Sequence, residues 1–74
     1  MNGVYDYRGE CFAYIKGDKL YNLDDDVHVG FVTEKAILNL KGQVMWHRQK
    51  DGLYDKHWVS IGYIGSNRDP NYWD

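Results

Sequence analysis

The chain has 74 residues, of which 43% are hydrophobic and 16% aromatic, and its formal net charge is -2 at pH 7. A chain near this size forms one domain with a thin core, since it buries only about 60% of the surface that it exposes when unfolded. The hydrophobic content excludes a disordered chain, and the scattered lysines and arginines form no basic run of the kind that binds nucleic acid.

In chain order, the sequence reads as a succession of β-hairpins separated by polar turns. In the first repeat, residues 4–7 predict a strand, residues 8–10 a turn and residues 11–16 the returning strand. Equivalent turn-forming segments then connect the repeats, at residues 17–19, 33–35 and 50–52. No window shows a clean 3.6-residue apolar period, which argues against a long helix.

Two short patterns recur in every repeat. An aliphatic residue, a bulky apolar residue and then Asn or Asp form the first, in Val4-Tyr5-Asp6, Leu20-Tyr21-Asn22, Ile37-Leu38-Asn39 and Leu53-Tyr54-Asp55. The second is a quartet that contains an aromatic residue, in Phe12-Ala13-Tyr14-Ile15, Val29-Gly30-Phe31-Val32, Val44-Met45-Trp46-His47 and Ile61-Gly62-Tyr63-Ile64. The Asx residues are spaced by 16, 17 and 16 positions, and such a regular period is typical of a repeat architecture.

The repeats predict an all-β fold of four β-hairpin petals about a pseudo-four-fold axis. The side-chain period of two in a strand separates the aromatic residues from the small ones, Ala13, Gly30 and Gly62, with Met45 in the third repeat. Because Gly within a strand often marks close approach of another backbone, we expect these four positions nearest the axis. The domain is predicted to span residues 1–65, followed by a polar and aromatic tail at 66–74 whose Tyr72 and Trp73 dock on the body or on a second subunit.

The turn after each Asx residue has its own pattern. Asp6 to Gly9 and Asn39 to Gly42 share the form Asx-x-x-Gly, in which the Asx side chain bonds the backbone and Gly accepts a positive φ. In the second repeat Asp25 is predicted to occupy the Gly position. The fourth repeat has no Gly there and carries residues 56–58 instead.

The whole pattern resembles a known family of small proteins. Tyr5-Asp6 and Gly9, then a small–aromatic–aliphatic triplet at 13–15, then Gly17-Asp18 and Leu20-Tyr21 are similar to the 4-fold beta flower family. This resemblance covers residues 4–65 and implies a small all-β protein built from four hairpin-like petals. Similar proteins occur in integron and other mobile gene cassettes, which suggests the same origin here. The family supplies no active-site residues to transfer.

Few residues have a spacing that indicates chemistry. The consecutive residues Asp24 to Asp26 lack the alternating spacing of a calcium loop and are interpreted as a solvated turn. The single Cys11 is interpreted as a small buried hydrophobic residue. No His or Cys spacing is typical of a metal site, and we expect neither a metal nor a cofactor.

His47 is the residue that breaks the repeat most clearly, because the equivalent residues of the other quartets are aliphatic. It is either half-buried and hydrogen-bonded or functional, and breaks in internal consistency are where function is expected. If the third and fourth petals adjoin, Trp46 and His47 share a surface with His57 and Trp58 of the irregular fourth turn. These four residues form a hypothetical ligand-binding site.

We expect a non-enzymatic, self-associating interaction module, with a homo-oligomer or another protein as partner. The alternative is a small-ligand or carbohydrate-binding protein that uses the four Trp and His residues. An enzyme is the weakest hypothesis, since no base, nucleophile and stabiliser come together in the sequence. The recurrent Tyr5, Tyr21 and Tyr54 either pack in the core or form an open aromatic ring. Without a long apolar run or a secretory signal, a cytoplasmic protein with no membrane partner is expected.

Overall fold

The computed structural model describes residues 2–65, and its regular elements are eight β-strands that form one antiparallel sheet. They are β1 (Asn2–Asp6), β2 (Cys11–Lys16), β3 (Lys19–Asn22), β4 (His28–Val32), β5 (Ala36–Asn39), β6 (Val44–Gln49), β7 (Gly52–Tyr54) and β8 (Ser60–Ile64). Each strand pairs with the next, and β8 pairs with β1, so the sheet closes into a barrel. The all-β prediction is confirmed. The predicted tail at 66–74 lies outside the described residues.

The four petals are the hairpins β1–β2, β3–β4, β5–β6 and β7–β8. Each petal contributes the residue at one equivalent position to the centre of the core. The aliphatic residue of each Asx triplet has at most 1% of its surface exposed, namely Val4, Leu20, Ile37 and Leu53. Ala13, Ile15 and Ile64 complete the main buried cluster. Burial of one equivalent side chain from every petal explains why an aliphatic residue recurs at that place.

A β-bulge occurs at the same place in every petal, immediately after the buried aliphatic residue. In the first petal, Val4 pairs with Ala13 and Tyr5 pairs with Cys11, so the pairing skips Phe12. The residues skipped in the four petals all pack against the core, and they are Phe12, Val29, Met45 and Ile61. The bulges therefore add a second apolar layer to the interior.

The Asx turns follow the predicted hydrogen-bond pattern. Asp6 Oδ1 accepts hydrogen bonds from the backbone N–H groups of Arg8 (2.8 Å) and Glu10 (3.0 Å), and Asn39 and Asp55 make the same pair of contacts in their own turns. The fourth residue of these three turns has a positive φ. Three of the four petals are thus closed by a turn that the Asx side chain caps, whereas in the second turn Asp25 Oδ1 accepts a hydrogen bond from the N–H of Val27.

The prediction for the second turn was wrong by one residue. Asp26, not Asp25, has a positive φ, which is 58°, as Gly9 and Gly42 have in their turns with 85° and 83°. The second turn is one residue longer than the others, because the N–H of Asn22 bonds to the carbonyl of Val27, five residues on. The extra residue shifts the left-handed position along the chain.

The prediction for the third petal was also shifted by one residue. Ile37 pairs with Trp46, just as Val4 pairs with Ala13 and Leu53 with Gly62, so Trp46 rather than Met45 occupies the small-residue position. His47 consequently corresponds to the aromatic residues Tyr14, Phe31 and Tyr63, and it does not replace an aliphatic residue. The Trp46 indole packs edge-on against the ring of Phe12, 5.9 Å between centroids.

Two of the small positions are required by close backbone approach, as predicted. A Cβ at Gly62 would collide with the carbonyl oxygen of Tyr5 on β1, and a Cβ at Gly30 would collide with that of Leu38 on β5. Both contacts lie at junctions between neighbouring petals. These glycines therefore allow the petals to come close enough to close the barrel.

Candidate interaction surfaces

The barrel has two different ends, because its strands alternate in direction. The four Asx turns, which join the strands within each petal, lie at one end. The connections between petals lie at the other end, where the N–H of Gly65 also bonds to the carbonyl of Gly3. Residues far apart in the sequence are thereby collected into two separate surfaces.

The Asx-turn end carries most of the exposed apolar side chains. Seven of the eight exposed large hydrophobic side chains found in residues 2–65 lie in these turns or directly after them, namely Tyr7, Leu23, Val27, Leu40, Val44, Trp58 and Val59. We call these residues the apolar rim. The eighth, Tyr63, lies on the barrel wall. A concentration of exposed apolar side chains at one place is typical of an interaction surface.

The opposite end is polar. Its connections consist of residues 17–18, 33–35 and 50–51, all of which are exposed and all of which are Gly, Thr or charged residues. The side chain of Arg48 spans two of these connections, since its guanidinium donates to the carbonyl of Thr33 (2.9 Å) and its Nε to that of Lys50 (2.8 Å). Among residues 2–65, the exposed apolar side chains are therefore concentrated at one end of the barrel.

Charges are distributed unevenly around the apolar rim. The second turn carries three carboxylates at 24–26, the third carries Lys41, and in the fourth Asp55 offsets the charge of Lys56. In the first turn Arg8 lies 3.7 Å from Asp6 and 3.9 Å from Glu10, so that turn keeps one net negative charge. Since the strands follow one another in order around the barrel, the second and fourth petals are on opposite sides. The rim is acidic at the second petal and has no formal net charge at the fourth petal opposite.

Two of the four predicted site residues come together on the third and fourth petals. The imidazole of His47 and the indole of Trp58 are stacked, with ring centroids 4.5 Å apart and planes 8° apart. Tyr54, which the hypothesis did not include, lies 5.6 Å from Trp58 between centroids and pairs with His47 across β6 and β7. We call His47, Tyr54 and Trp58 the aromatic stack. The indole of Trp58 is 55% exposed.

The other two predicted site residues occupy different environments. Trp46 is half-buried and packs against the hydrophobic core, so it belongs to the interior. His57 is exposed in the β7–β8 turn, where its backbone N–H donates to Asp55 Oδ1. The structure thus brings His47 and Trp58 together, but it assigns Trp46 to core packing.

The recurrent tyrosines lie on the wall of the barrel and are half-buried, which corresponds neither to full core packing nor to an open ring. Tyr5 stacks on Tyr63 and Tyr21 stacks on Tyr14, each pair with 5.2 Å between ring centroids. Both pairs join neighbouring petals across a strand pairing. Such cross-strand aromatic pairs stabilise a sheet, so they account for most of the recurrence.

An open groove with a volume of about 530 Å³ lies beside the first two petals, and Gly3, Cys11, Tyr14, Lys16, Leu23 and Asp26 line it. Cys11 is partly rather than fully buried, and its thiol donates a 3.4 Å hydrogen bond to the carbonyl of Ala13. The Tyr14 hydroxyl donates to Asp26 Oδ1 at 2.8 Å, and this hydrogen bond raises the pKa of Tyr14 above its ordinary value. The groove contains no further hydrogen-bonded pair of titratable side chains.

Among residues 2–65, no three His, Cys, Asp or Glu side chains are placed so that they could hold a metal ion. Nor does this part of the chain contain a helix long and apolar enough to cross a membrane. In comparisons with known proteins, no protein-family model, no curated protein and no solved structure matches the chain.

The apolar rim has a counterpart in the sequence that was not among the predicted site residues. In three of the four repeats the residue directly after the Asx is a large apolar residue, namely Tyr7, Leu23 and Leu40. A turn position exposed to water does not require an apolar side chain for folding. The recurrence of a large apolar residue directly after the Asx therefore indicates a shared role at that end of the barrel.

Proposed function

We propose that the protein is a non-enzymatic interaction module that associates with itself through the apolar rim. The observation that carries this proposal is the collection of seven exposed apolar side chains at the Asx-turn end, whereas the connections described at the opposite end are polar. Removing such side chains from water contributes roughly 25 cal/mol for each Å² of apolar surface buried. A domain with a thin core gains stability when it associates in this way.

The closed barrel favours contact through side chains rather than through strands. Every strand of the sheet has two hydrogen-bonded neighbours, so the described part of the chain has no free edge strand to which another chain could add. The bulky residues of the rim, with Trp58 and Tyr7 among them, are of the kind that contributes most energy at interfaces. Association is therefore expected at the rim and not along the wall.

The test is the molar mass in solution, measured by light scattering after size-exclusion chromatography at several protein concentrations. The wild-type chain should show a mass above that of one chain, and Leu40→Glu should weaken the association about tenfold or more. Gln49→Glu is the matched control, because it adds one negative charge at an exposed position of the opposite end. A wild-type protein that stays monomeric at millimolar concentration would refute the proposal.

A second candidate function is the binding of a small ligand or a carbohydrate on the aromatic stack. The specific observation in its favour is the exposed side chain of Trp58, which stacks on His47 and contacts Tyr54. Exposed aromatic faces of this kind can stack on the apolar face of a sugar ring. The residues proposed for this site are His47 and Trp58 from the original hypothesis, together with Tyr54.

Titration with a panel of neutral sugars, followed through the indole N–H resonance of Trp58, tests this second candidate. Binding should shift this resonance, and the shifts that it causes in the backbone amide resonances of His47 and Tyr54 should disappear in Trp58→Ala. His47→Phe is the informative replacement for the imidazole, because aromatic residues occupy the equivalent positions of the other petals. If no sugar shifts the Trp58 resonance at millimolar concentration, the aromatic stack is a structural feature only.

Membership of the 4-fold beta flower family, an origin in a mobile gene cassette and a cytoplasmic location remain predictions. Four consecutive hairpins closing on themselves are compatible with the family resemblance. A contribution of His57 to ligand binding is likewise a prediction, and the titration above tests it through the variant His57→Ala.

A further inference from the structure

The open groove beside the first two petals is lined by two opposite charges, Asp26 and Lys16, together with the ring of Tyr14 and the apolar side chain of Leu23. Its volume of about 530 Å³ lies within the range of small-molecule sites. We propose that this groove binds a small zwitterion, whose ammonium group pairs with Asp26, whose carboxylate pairs with Lys16 and whose apolar chain lies between them. This site is separate from the aromatic stack, and it does not depend on self-association.

The two charged residues lie toward opposite ends of the barrel. Lys16 is the last residue of β2 and lies next to the polar β2–β3 connection. Asp26 belongs to the second Asx turn, which lies beside the first half of β2, because the N–H of Leu23 bonds to the carbonyl of Phe12 (3.2 Å). Both ion pairs formed within residues 2–65 involve Arg8, so Lys16 and Asp26 line one groove without pairing with each other. A ligand with two opposite charges can therefore contact both.

The charges near the groove have the same signs as the two residues that line it. The second turn carries three carboxylates at 24–26 and no basic residue, and the first turn, at the same end, also keeps one net negative charge. At the other end Lys16 pairs across the strands with Lys19, and Asp18 is the one carboxylate between them, so this segment keeps one net positive charge. Such a charge distribution favours a zwitterion in one orientation.

The carboxylate of Asp26 is held in position before any ligand arrives. Its N–H donates to the carbonyl of Asn22 (2.9 Å), and its Oδ1 accepts from the hydroxyl of Tyr14 (2.8 Å). The Tyr14 ring is itself fixed by stacking on Tyr21. The hydrogen bond to Asp26 raises the pKa of Tyr14, so the hydroxyl keeps its proton and remains the donor. Since this bond uses one carboxylate oxygen, Oδ2 can accept from an ammonium group, and a preorganised acceptor lowers the entropic cost of binding.

Both charged residues are exceptions within the repeat. Asp26 has the left-handed backbone conformation that glycine provides in the first and third turns. Lys16 lies three residues after the strand partner of a buried aliphatic residue. The equivalent residues of the other petals are uncharged, namely Thr33, Gln49 and Gly65. A repeat that departs from its own pattern at two residues of one groove is where function is expected.

The test is a titration with amino acids whose two charges are increasingly far apart, namely glycine, γ-aminobutyrate and ε-aminocaproate. Binding is followed through the backbone amide resonances of Tyr14, Lys16 and Asp26. At least one of these probes should bind with a dissociation constant of about 1 mM or lower, and its length reports the separation of the two charges in the groove. Hexylamine and hexanoate carry one charge each and should bind about tenfold more weakly than that probe.

Asp26→Asn is the most informative variant, because Asn tolerates the left-handed conformation and keeps an oxygen that can accept from Tyr14. Asp24→Asn is its matched control, since it removes a carboxylate from the same turn but not from the lining of the groove. Lys16→Gln removes the other charge, and Gln49 occupies the equivalent position of the third petal. Asp26→Asn and Lys16→Gln should each weaken binding of the best amino acid about tenfold, and Asp24→Asn less than about threefold.

Three results would overturn the inference. They are the absence of any shift at about 10 mM of every amino acid, binding of hexylamine as tight as that of the best amino acid, and equal weakening by Asp24→Asn and Asp26→Asn. The first two do not depend on whether a variant folds.

A repeat of the titration in Leu40→Glu separates this inference from the proposed function. Leu23 lines the groove and also belongs to the apolar rim, so self-association through the rim would compete with the ligand. The variant, whose self-association is weakened, should bind the best amino acid at least as tightly as the wild type. A wild-type protein that is monomeric but binds the amino acid would refute the proposed function and support this inference.

Discussion

The imidazole of His47 lies nearly parallel to the indole of Trp58, with the ring planes 8° apart. Trp58 makes this contact from a turn, where its own φ is 62°. The equivalent turn residues are Gly9, Asp26 and Gly42, which tolerate a positive φ better than a residue with a bulky side chain. The fourth petal therefore combines an unfavourable backbone conformation with an aromatic contact. A strained residue that makes an exposed contact is a reasonable place to look for function.

This combination predicts that the side chain of Trp58 stabilises the fold while its backbone conformation destabilises it. Trp58→Gly and Trp58→Ala both remove the stack on His47, but only Ala keeps the cost of a left-handed backbone. Trp58→Gly should therefore be more stable than Trp58→Ala by about 1 kcal/mol. The measurement is urea unfolding followed by far-ultraviolet circular dichroism. Equal stability of the two variants would show that the turn relaxes to another conformation when the indole is absent.

Replacing a glycine of the barrel with alanine should lower the stability in one of two ways, by steric overlap or by an unfavourable backbone conformation. In Gly62→Ala the added methyl group would collide with the backbone of Tyr5, at the junction where β8 pairs with β1, and the variant should lose about 2–3 kcal/mol of stability. Gly17→Ala should lose only about 1 kcal/mol, because the site has free space and only its φ of 67° disfavours Ala.

Ala13→Gly is the matched control for Gly62→Ala, since Ala13 occupies the equivalent position of the first petal. It should cost less than the collision at Gly62, because it removes one buried methyl group and creates no overlap. Thermal unfolding of the three variants gives the comparison. A mild effect of Gly62→Ala would mean that β1 and β8 can separate enough to admit a methyl group.

The Asx turns predict a loss of stability in acid. Hydrogen bonds from the N–H groups of Glu10 and Arg8 lower the pKa of Asp6 below its ordinary value of 3.8, and those from Val59 and His57 lower the pKa of Asp55 in the same way. A lowered pKa in the folded state contributes stability above pH 3.8, and this contribution is lost as the pH falls through the pKa of the folded state.

In the double variant Asp6→Asn with Asp55→Asn, the free energy of unfolding should therefore decrease less steeply as the pH falls below 3.8. The variant should remain folded at neutral pH. Asn is a suitable replacement because Asn39 Oδ1 accepts the same two backbone hydrogen bonds in the third turn. Acid titration followed by tryptophan fluorescence is the measurement. Identical acid unfolding of variant and wild type would show that other carboxyl groups determine the acid limit.

Two leucines separate the core from the apolar rim. Leu53 is fully buried, so Leu53→Ala should destabilise the fold by about 3 kcal/mol through lost burial and the cavity left behind. Leu40 is 56% exposed, so Leu40→Ala should leave the stability of the monomer nearly unchanged and weaken self-association instead. Denaturation at low protein concentration and light scattering at high concentration distinguish these effects. A large loss of monomer stability in Leu40→Ala would assign that side chain to folding.

The regular spacing of the Asx triplets was enough to predict four hairpins. It worked because every triplet has a buried aliphatic residue, and in three of the four the Asx caps its own turn, so the local pattern and the core require the same sequence. The register of the third petal, which decides whether Met45 or Trp46 pairs with Ile37, could not be predicted from this spacing. Met45 and Trp46 are both large and apolar, and a one-residue slip in a strand exchanges its two faces. The hydrogen bond from the N–H of Asn39 to the carbonyl of Gln43 fixes the frame.

The sequence by itself determined the four hairpins and three of the four Asx turns, because these depend on short-range periodicity, but it did not determine which side chains fill the centre of the core. The tertiary structure alone decided which residues share a surface. Closure of the barrel collects turns that are about sixteen residues apart into the apolar rim, and it pairs His47 of β6 with Trp58 of the β7–β8 turn. Such neighbours depend on the direction and order of the strands, which a pattern along one strand does not contain.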